Sequence, residues 1–361
     1  MHDLQKNNKV LLGLSGGVDS TAAALLLQKE GFEVTGLFFD VLGDQSEAKE
    51  KAQNAAKELN IDFIYTDVSK EFECNIIEYF CNSYLVGETP NPCVKCNPTI
   101  KFKTLLEEAD RLGIYYIATG HYAQIFYDAE IKKYFVKKGD NEKKDQSYMI
   151  YRLNQSILSR LLLPLGTVNN KEITRDLVRE KGINNADTKD SQEICFINDN
   201  NYVNFIKNRK SFNEVNKIGN FIDKEGKILG KHQGLVNYTI GQRKGLGITF
   251  GKPIFVISMD KENNTVTLGD NEELFTNNVI SNNNFFIVSQ EGNSNLPMRY
   301  KGKKIIAKIR YSAKPAKAVL HGLSDGKIQT TFDEVQRAVT PGQSIVFYEN
   351  NIVIGGGVIC Y

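Results

Sequence analysis

The sequence predicts an α/β domain built on a parallel, doubly wound sheet, followed by two small, mainly β domains. Three observations carry this. Residues 9–123 alternate apolar strand-like runs with helix-like stretches, the order that pairs strands in parallel through crossover helices. From about residue 212 helices nearly vanish, and short alternating strands recur between Gly- or Asn-rich turns, as in small barrels and sandwiches. The chain has 361 residues, about twice the usual single-domain length of roughly 100–200 residues. The expected division is 1–211, with a helical part at 148–210, then a central β domain at 212–275 and a barrel-like domain at 276–361.

The elements follow in order. Residues 10–14 are a short apolar run ending in a Gly-rich turn. Residues 21–30 are rich in Ala and Leu and read as a helix closed by Gly31. Residues 34–41 are a second buried strand. Residues 46–59 place Ala48, Ala52, Ala55, Ala56 and Leu59 on one face, with Ser46 as N-cap. Residues 62–68 are a third strand. Residues 70–86 look helical, with Phe72, Ile76, Tyr79 and Phe80 at helical spacing, and Cys74 and Cys81 read as structural. Residues 100–112 are a helix and 114–119 a strand. Residues 125–127 and 134–136 flank a polar turn and read as a hairpin; 171–181 is the clearest later helix. Further on, 254–259, 265–269, 305–311, 345–348 and 353–354 read as strands, and the Asn-rich stretch 277–284 as a loop.

Hydrophobic residues are 41% and charged residues 24% of the chain, which excludes a disordered, collagen-like or coiled-coil protein. Lys+Arg is 45 against Asp+Glu 43, so only the distribution of charge can speak for a nucleic-acid partner. No apolar run reaches the roughly 18 residues of a membrane span, and the first residues lack a signal core. No membrane association is expected, and the cytoplasm is the expected location. Six cysteines are too few for a disulfide scaffold, so a functional Cys here is catalytic, metal-binding or redox-active.

The most specific local motif is Leu14-Ser15-Gly16-Gly17-Val18-Asp19-Ser20, between the first strand and the first helix. Backbone N–H groups at a helix N-terminus, with glycines that admit close approach, suit a phosphate. Ser15 and Ser20 can donate hydroxyls. Asp19 repels a phosphate, so it holds Mg²⁺ or orients the loop; no protein cage for a metal is expected. The Walker ending Lys-Ser/Thr is absent. A bare Ser-Gly-Gly could be a tight turn and nothing more. The complete motif resembles the pyrophosphatase loop of ATPases that make adenylated intermediates.

A second motif is Thr89-Pro90-Asn91-Pro92-Cys93-Val94-Lys95-Cys96-Asn97. Its prolines suggest an extended loop. Zinc would need two further ligands, and a thioredoxin-like pair would open a helix rather than end a loop. The third reading is a catalytic thiol near the ATP loop. The third motif is Lys189-Asp190-Ser191-Gln192-Glu193-Ile194-Cys195-Phe196-Ile197. Cys195 between Ile and Phe could be a buried structural Cys; the polar residues before it favour a functional loop.

Together these segments resemble the bacterial tRNA-specific 2-thiouridylase (MnmA) family. The match also includes Ala118-Thr119-Gly120-His121-Tyr122, Lys144-Asp145-Gln146-Ser147-Tyr148, Gly241-Gln242-Arg243-Lys244-Gly245-Leu246-Gly247 and Gln336-Arg337-Ala338-Val339-Thr340-Pro341-Gly342-Gln343. The resemblance implies an ATP-pyrophosphatase fold for the first domain and replacement of oxygen by sulfur at C2 of the wobble uridine (position 34) of tRNA. ATP adenylates the C2 oxygen, pyrophosphate leaves, and a cysteine persulfide supplies the sulfur that displaces AMP. It further implies Cys96 as the nucleophile and Cys195 as the persulfide carrier, the pair able to form a disulfide. Gly13 to Ser20, Phe39 and Gly120 would contact ATP, with Mg²⁺ accompanying it. Asn91, Pro92 and Cys93 would meet the target base. Lys144, Asp145, Gln146, Arg310 and Tyr311 would touch tRNA. The implied partners are tRNAs for lysine, glutamate and glutamine, and a sulfur-relay or cysteine desulfurase protein. The chain departs from the family pattern at Cys93, where some members carry Asp, in a shorter segment 40–48, and at Glu193, often a Gly.

Charge placement supports tRNA from the residues alone. Between 299 and 317 lie Arg299, Lys301, Lys303, Lys304, Lys308, Arg310, Lys314 and Lys317 without an acidic residue, and with Tyr300 and Tyr311 interleaved. Lys132, Lys133, Lys137, Lys138, Lys143 and Lys144 form a second run. A solvated strand face is the plainer reading; two basic surfaces on a nearly neutral chain suit a long anion. The rival functions are an ATP-pyrophosphatase-type ligase or thiolase acting on another nucleotide, and a redox-sensitive RNA-binding protein without catalysis. His121 is expected to be structural.

Overall fold

Val10, Leu11 and Leu12 are fully buried, as a strand covered on both faces must be. They belong to β1 (Lys9–Gly13), which pairs in parallel with both β2 (Glu33–Asp40) and β4 (Tyr116–Ala118). The computed structural model describes residues 7–183, 194–197, 201–289 and 295–361. With β3 (Asp62–Asp67) beside β2 and the short β7 (Leu161–Leu162) beside β4, the parallel sheet has the order β3-β2-β1-β4-β7. The predicted α/β class is the observed one.

Two compact units share the chain. One comprises Met1–Ile76, Cys93–Gln192 and Glu349–Ile354; the other Ile77–Pro92, Glu193–Tyr348 and Gly355–Tyr361. In the first, helix α1 (Val18–Lys29) buries Ala22, Ala23, Ala24, Leu25 and Leu27 on the sheet, an almost all-round apolar helix suited to an interior position. Helix α2 (Ser46–Leu59) buries the stripe Ala52, Ala55, Ala56 and Leu59. Ser46 opens this helix instead of capping it: Gln45 is the N-cap, and its Oε1 accepts from Val41 N at 3.0 Å. The helix expected at 70–86 is broken into α3 (Ser69–Phe72), a π turn (Glu73–Ile77) and α4 (Glu78–Leu85). The π turn rotates the apolar stripe, which leaves Cys74 exposed while Cys81 is buried, so Cys74 is not a core residue.

Beyond this point α5 (Pro92–Cys96), a π turn (Asn97–Lys101) and α6 (Phe102–Arg111) run on as one helical stretch. The hairpin is β5 (Ala123–Asp128) with β6 (Lys133–Lys138). Ile352 pairs with Lys137. Short helix α7 (Gln155–Leu158) precedes β7, and α8 (Lys171–Glu180) starts at Asn170, whose side chain accepts from Glu172 N at 3.1 Å.

In the second unit, α9 (Tyr202–Lys207) and α10 (Phe212–Val215) precede a sheet of β8 (Gly219–Ile222), β9 (Ile228–His232), β10 (Phe255–Asp260) and β11 (Thr265–Gly269), in the order β10-β11-β8-β9. Phe221, Val256, Val266 and Leu268 form its core. The strands β12 (Phe275–Phe286), β13 (Lys304–Lys308), β14 (Ala316–Gly322), β15 (Ile328–Arg337), β16 (Ser344–Glu349) and β17 (Ile352–Cys360) follow in the order β12-β15-β14-β13-β16-β17. Pairing of β12 with β17 closes the barrel.

The Asn-rich stretch 277–284 is therefore strand, not loop. β12 has register shifts at 276/278 and 282/285, and these bulges turn it from β15 to β17. Asn283 adopts φ 45°, and buried Asn284 bonds Ser281 through both its side-chain atoms. Asparagine suits such positions because it tolerates the left-handed region and bonds local backbone. No helix among the described residues is long and apolar enough to cross a membrane.

Candidate functional site

In the sheet order, growth of the first unit reverses between β1 and β4. Crevices at the carboxyl ends of parallel strands open at such a reversal. Ser15 to Ser20 follow β1 there and Thr119 to Tyr122 follow β4. A Cβ on Gly120 would lie 2.9 Å from Asp19 C and 3.0 Å from Ser20 N, so only glycine lets these segments touch. Gly16, at φ 74°, approaches α2: a Cβ would lie 2.7 Å from Ala52 N. A Cβ on Gly13 would lie 3.3 Å from Phe39 Cε2. Leu14 and Val18 are buried beneath the loop. The structure thus gathers Gly13 to Ser20, Phe39 and Gly120 at one end of the sheet.

The loop is held by its own hydroxyls. Ser20 Oγ donates to Gly17 O at 3.0 Å and accepts from Ser15 N at 3.3 Å; the two serine Oγ atoms are 3.2 Å apart. Gly17 is the N-cap of α1 and offers no side-chain cap. The first-turn amides and the positive end of the helix dipole therefore face the crevice, the geometry of an anion cradle.

Asp19 is anchored in the crevice by two groups. Its Oδ1 accepts from the Tyr122 hydroxyl at 2.8 Å, and its Oδ2 lies 3.3 Å from Lys171 Nζ. Sequence reasoning missed both partners. Tyr122 was within reach as a member of the 118–122 motif; Lys171, on α8, carries no sequence signal. Among the described residues no group of three or more His, Cys, Asp and Glu side chains gathers around a common point. One carboxylate already taken by a hydroxyl and an ammonium does not fit a protein-held metal. His121 contacts Thr119 and Phe102: Nδ1 is 2.8 Å from Thr119 Oγ1, and the ring lies 5.7 Å from that of Phe102. Burial, aided by the Lys101 charge, holds its imidazole down to about 3, hence neutral.

The Cys-x-x-Cys segment is not a loop. Pro92 starts α5, where its fixed φ and missing N–H do no harm, so Cys93 and Cys96 lie in one helical turn. This corrects the expectation of an extended loop, and with it the ground on which a redox pair was set aside. Cys96 is buried and Cys93 half-buried. Between them, burial and the like charge of Arg152 hold the Lys95 ammonium below its ordinary range. Buried Asn97 donates to Met149 O at 2.8 Å.

In the second unit, Thr89 N donates to Pro341 O and Gln343 Nε2 donates to Thr89 O, both at 2.9 Å. The 336–343 motif, to which the sequence assigned no task, thus clasps the start of the Pro-rich segment that ends in half-buried Asn91 and buried Pro92.

Cys195 is exposed, while Phe196 and Ile197 behind it are buried. Ile197 N donates to Ile194 O at 2.9 Å, so Cys195 sits at the tip of a turn. Phe196 packs edge-on against Phe80 at 5.2 Å and lies 5.1 Å from Phe205. The reading of Cys195 as a buried structural thiol fails on its exposure. Residues 189–193 of this motif lie outside the described residues. Cys96 belongs to the first unit and Cys195 to the second, and no cysteine is in a disulfide.

Asp145 is buried, and its carboxylate accepts from Gly139 N, Ser147 N and Ser147 Oγ. Gln146 Oε1 accepts from Tyr122 N. Both side chains shape their own loop, and half-buried Lys144 stands beside them. Arg310 Nη1 donates to Arg337 O and Ala338 O. With Lys314, Glu334, Gln336 and Arg337 it lines an open groove of about 420 Å³; Tyr311 is half-buried nearby in sequence. Arg299, Lys301, Lys303, Lys304, Lys314 and Lys317 are exposed. Tyr300 is not available to a base: it is buried and stacks on Phe286 at 6.1 Å.

Family models match three successive segments: a tRNA methyl transferase HUP domain over residues 8–199, a tRNA methyl transferase PRC-barrel domain over 204–270, and an aminomethyltransferase beta-barrel domain over 287–359. The chain is 45% identical to the tRNA-specific 2-thiouridylase MnmA of Acetivibrio thermocellus, covering 97% of this chain and 99% of that protein. It is 43% identical to the protein of the same name from Clostridioides difficile (strain 630), covering 98% of each. A solved structure of NMN synthetase from Francisella tularensis is similar at TM-score 0.34 and 19% identity, over 50% of this chain and 66% of that one. Likeness that runs through both units at this level of identity has one meaning, and the chain belongs to the tRNA-specific 2-thiouridylase family.

Proposed function

We propose that the protein converts the wobble uridine of tRNA to 2-thiouridine at the expense of ATP. The uridine C2 oxygen attacks the α-phosphorus of ATP bound at Ser15 to Ser20, and pyrophosphate leaves with the electron pair of the broken P–O bond. C2 now carries AMP, a good leaving group. The terminal sulfur of a Cys195 persulfide attacks C2 and AMP departs. The Cys96 thiolate then attacks Cys195 Sγ. The S–S bond to the new thiouridine breaks with its electron pair on the C2 sulfur, and a Cys96–Cys195 disulfide remains for a thiol reductant to reopen. This requires the two thiols to meet and the buried Cys96 to be uncovered while tRNA is bound.

The observation that carries this reading is an exposed Cys195 on a turn whose next two residues are buried. A thiol presented on an anchored tip suits a group that must be loaded by one protein and discharged at another site. Methyl transfer, the wording of the family descriptions, gives neither this thiol nor an ATP-cleaving loop a task. In the same proposal Gly13 to Ser20, Phe39 and Gly120 hold ATP, and Asn91, Pro92 and Cys93 receive the base. Lys144, Asp145, Gln146, Arg310 and Tyr311 hold tRNA. Mg²⁺ enters with the triphosphate as its counterion. The domains divide at 211 and 275. The substrates are tRNAs for lysine, glutamate and glutamine, the sulfur comes from a relay or desulfurase protein, and the work is done in the cytoplasm.

The test is ATP turnover with and without unmodified tRNA, with nucleoside mass spectrometry of the product. AMP and pyrophosphate formed only with tRNA, together with 2-thiouridine, is the expected result. ATP cleavage indifferent to tRNA, or a methylated uridine, would overturn the proposal.

A further inference from the structure

The Pro-rich segment carries two thiols where the reaction above uses one. Cys93 and Cys96 stand three residues apart in the single turn of α5, and neither is in a disulfide. Cα atoms at that spacing lie about 5 Å apart in a helix, within the roughly 4.4–6.8 Å that a disulfide spans. Their Cβ atoms, about 5–6 Å apart on a regular helix, must close by about 1–2 Å to reach bonding distance. Helix α5 has only five residues and runs into the π turn at Asn97–Lys101, so little regular helix resists that closure. The two thiols differ in access: Cys96 is 5% exposed, whereas Cys93 is half-buried. A disulfide at Cys96 is shielded from a protein reductant whenever Cys96 is covered, as it is here. A thiol of the same turn can reach it from within.

We propose that Cys93 is the resolving thiol of the catalytic cycle: it takes over the disulfide left on Cys96 and frees Cys195 to be loaded again. This rests on the thiolation reading given above, in which each turnover ends with a Cys96–Cys195 bond. The Cys93 thiolate attacks Cys96 Sγ. The Cys96–Cys195 bond breaks with its electron pair on Cys195 Sγ, and a Cys93–Cys96 disulfide forms. No oxidant is consumed. A dithiol reductant then attacks the more accessible Cys93 Sγ, and the electron pair of the broken bond passes to Cys96 Sγ. The reductant's second thiol closes on its first and releases Cys93. The two electrons that the cycle needs therefore enter at the accessible end of the turn instead of the buried one.

The experiment maps disulfides after one turnover of the full-length protein. Wild type and Cys93→Ser are loaded with sulfur by cysteine and a cysteine desulfurase and freed of small thiols. They are then mixed, without air or reductant, with ATP, Mg²⁺ and unmodified tRNA. Samples blocked with N-ethylmaleimide are digested and read by mass spectrometry beside the thiouridine formed. In the wild type a Cys93–Cys96 disulfide should appear, about one for each thiouridine, with Cys195 recovered as a blocked thiol. In Cys93→Ser the bond should stay between Cys96 and Cys195, with a matching loss of blocked Cys195. A wild type that makes thiouridine and ends on a Cys96–Cys195 bond, or on no disulfide, overturns the proposal. So does a Cys93–Cys96 disulfide that forms equally when ATP is withheld, since that is simple oxidation of neighbouring thiols. Should Cys93→Ser make no thiouridine because it no longer receives the base, the wild-type map alone decides. A wild type that makes no thiouridine would instead refute the thiolation reading, and this proposal with it.

Discussion

A hydroxyl cannot store sulfane sulfur, so the role proposed for the exposed Cys195 rests on its thiol. Cys195→Ser should abolish thiouridine formation and leave ATP affinity unchanged. Intact-mass spectrometry after incubation with cysteine and a cysteine desulfurase should show a one-sulfur adduct on the wild type and none at this position in the variant; thiouridine made by the variant would remove Cys195 from the mechanism. His121 is the opposite case, a side chain made inert by its surroundings. Its imidazole titrates near 6.5 when unfolded and at about 3 in the fold. Below pH 6.5 the unfolded chain therefore binds a proton that the folded one refuses. Stability from this residue is present above about 6.5 and is lost as pH falls toward 3, at most about 1.4 kcal/mol per pH unit. Between pH 7 and 5, urea unfolding of the wild type should lose up to about 2 kcal/mol more than that of His121→Gln. Equal losses would mean that the ring is not held neutral.

At the scale of elements, the site depends on two segments that touch because one residue lacks a side chain. The atoms that a Gly120 Cβ would meet are Asp19 and Ser20 backbone, which cannot swing aside. Gly120→Ala should push the N-terminus of α1 away from the end of β4. A displacement of even part of an ångström at a binding loop is costly, and we expect ATP affinity to fall at least about tenfold while far-UV circular dichroism is unchanged. Retained affinity would show that the loop relaxes without loss. Phe196 illustrates the same logic in the second unit: its aromatic contacts with Phe80 and Phe205 hold the turn that presents Cys195.

At the scale of the whole molecule, a chain of net charge +2 can bind a polyanion only where its lysines are sorted onto one surface. Lys301, Lys303, Lys304, Lys314 and Lys317 are all exposed and are the candidates. If they grip the tRNA backbone, affinity should fall by about 10³–10⁵ between 50 and 200 mM salt for roughly 6–10 phosphate contacts on a duplex, with less on a folded tRNA. Replacing Lys303 and Lys304 together by Ala should weaken tRNA binding and flatten the salt slope by up to about one unit per lost contact. ATP affinity should not change. Fluorescence anisotropy with labelled tRNA at several salt concentrations reads both, and an unaltered slope would shift the grip to the 132–144 run.

The sequence by itself determined the parallel α/β class, the β character of the second half, and the glycine-rich turn between the first strand and the first helix. Those features are local: apolar runs of strand length, helical periodicity, and a turn whose residue types are dictated by backbone geometry. It also determined the family, because the ordered motifs run through most of the chain. It could not show that 277–284 is a bulged strand, since asparagines that serve a bulge look the same in sequence as asparagines in a loop. Nor could it tell buried Tyr300 from an exposed aromatic, or a helical Cys93–Cys96 turn from a loop, because the surroundings that decide each come from distant segments. The same holds for Lys171. Its ammonium pairs with Asp19, 152 residues earlier, and packing of α8 against α1 brings the two together.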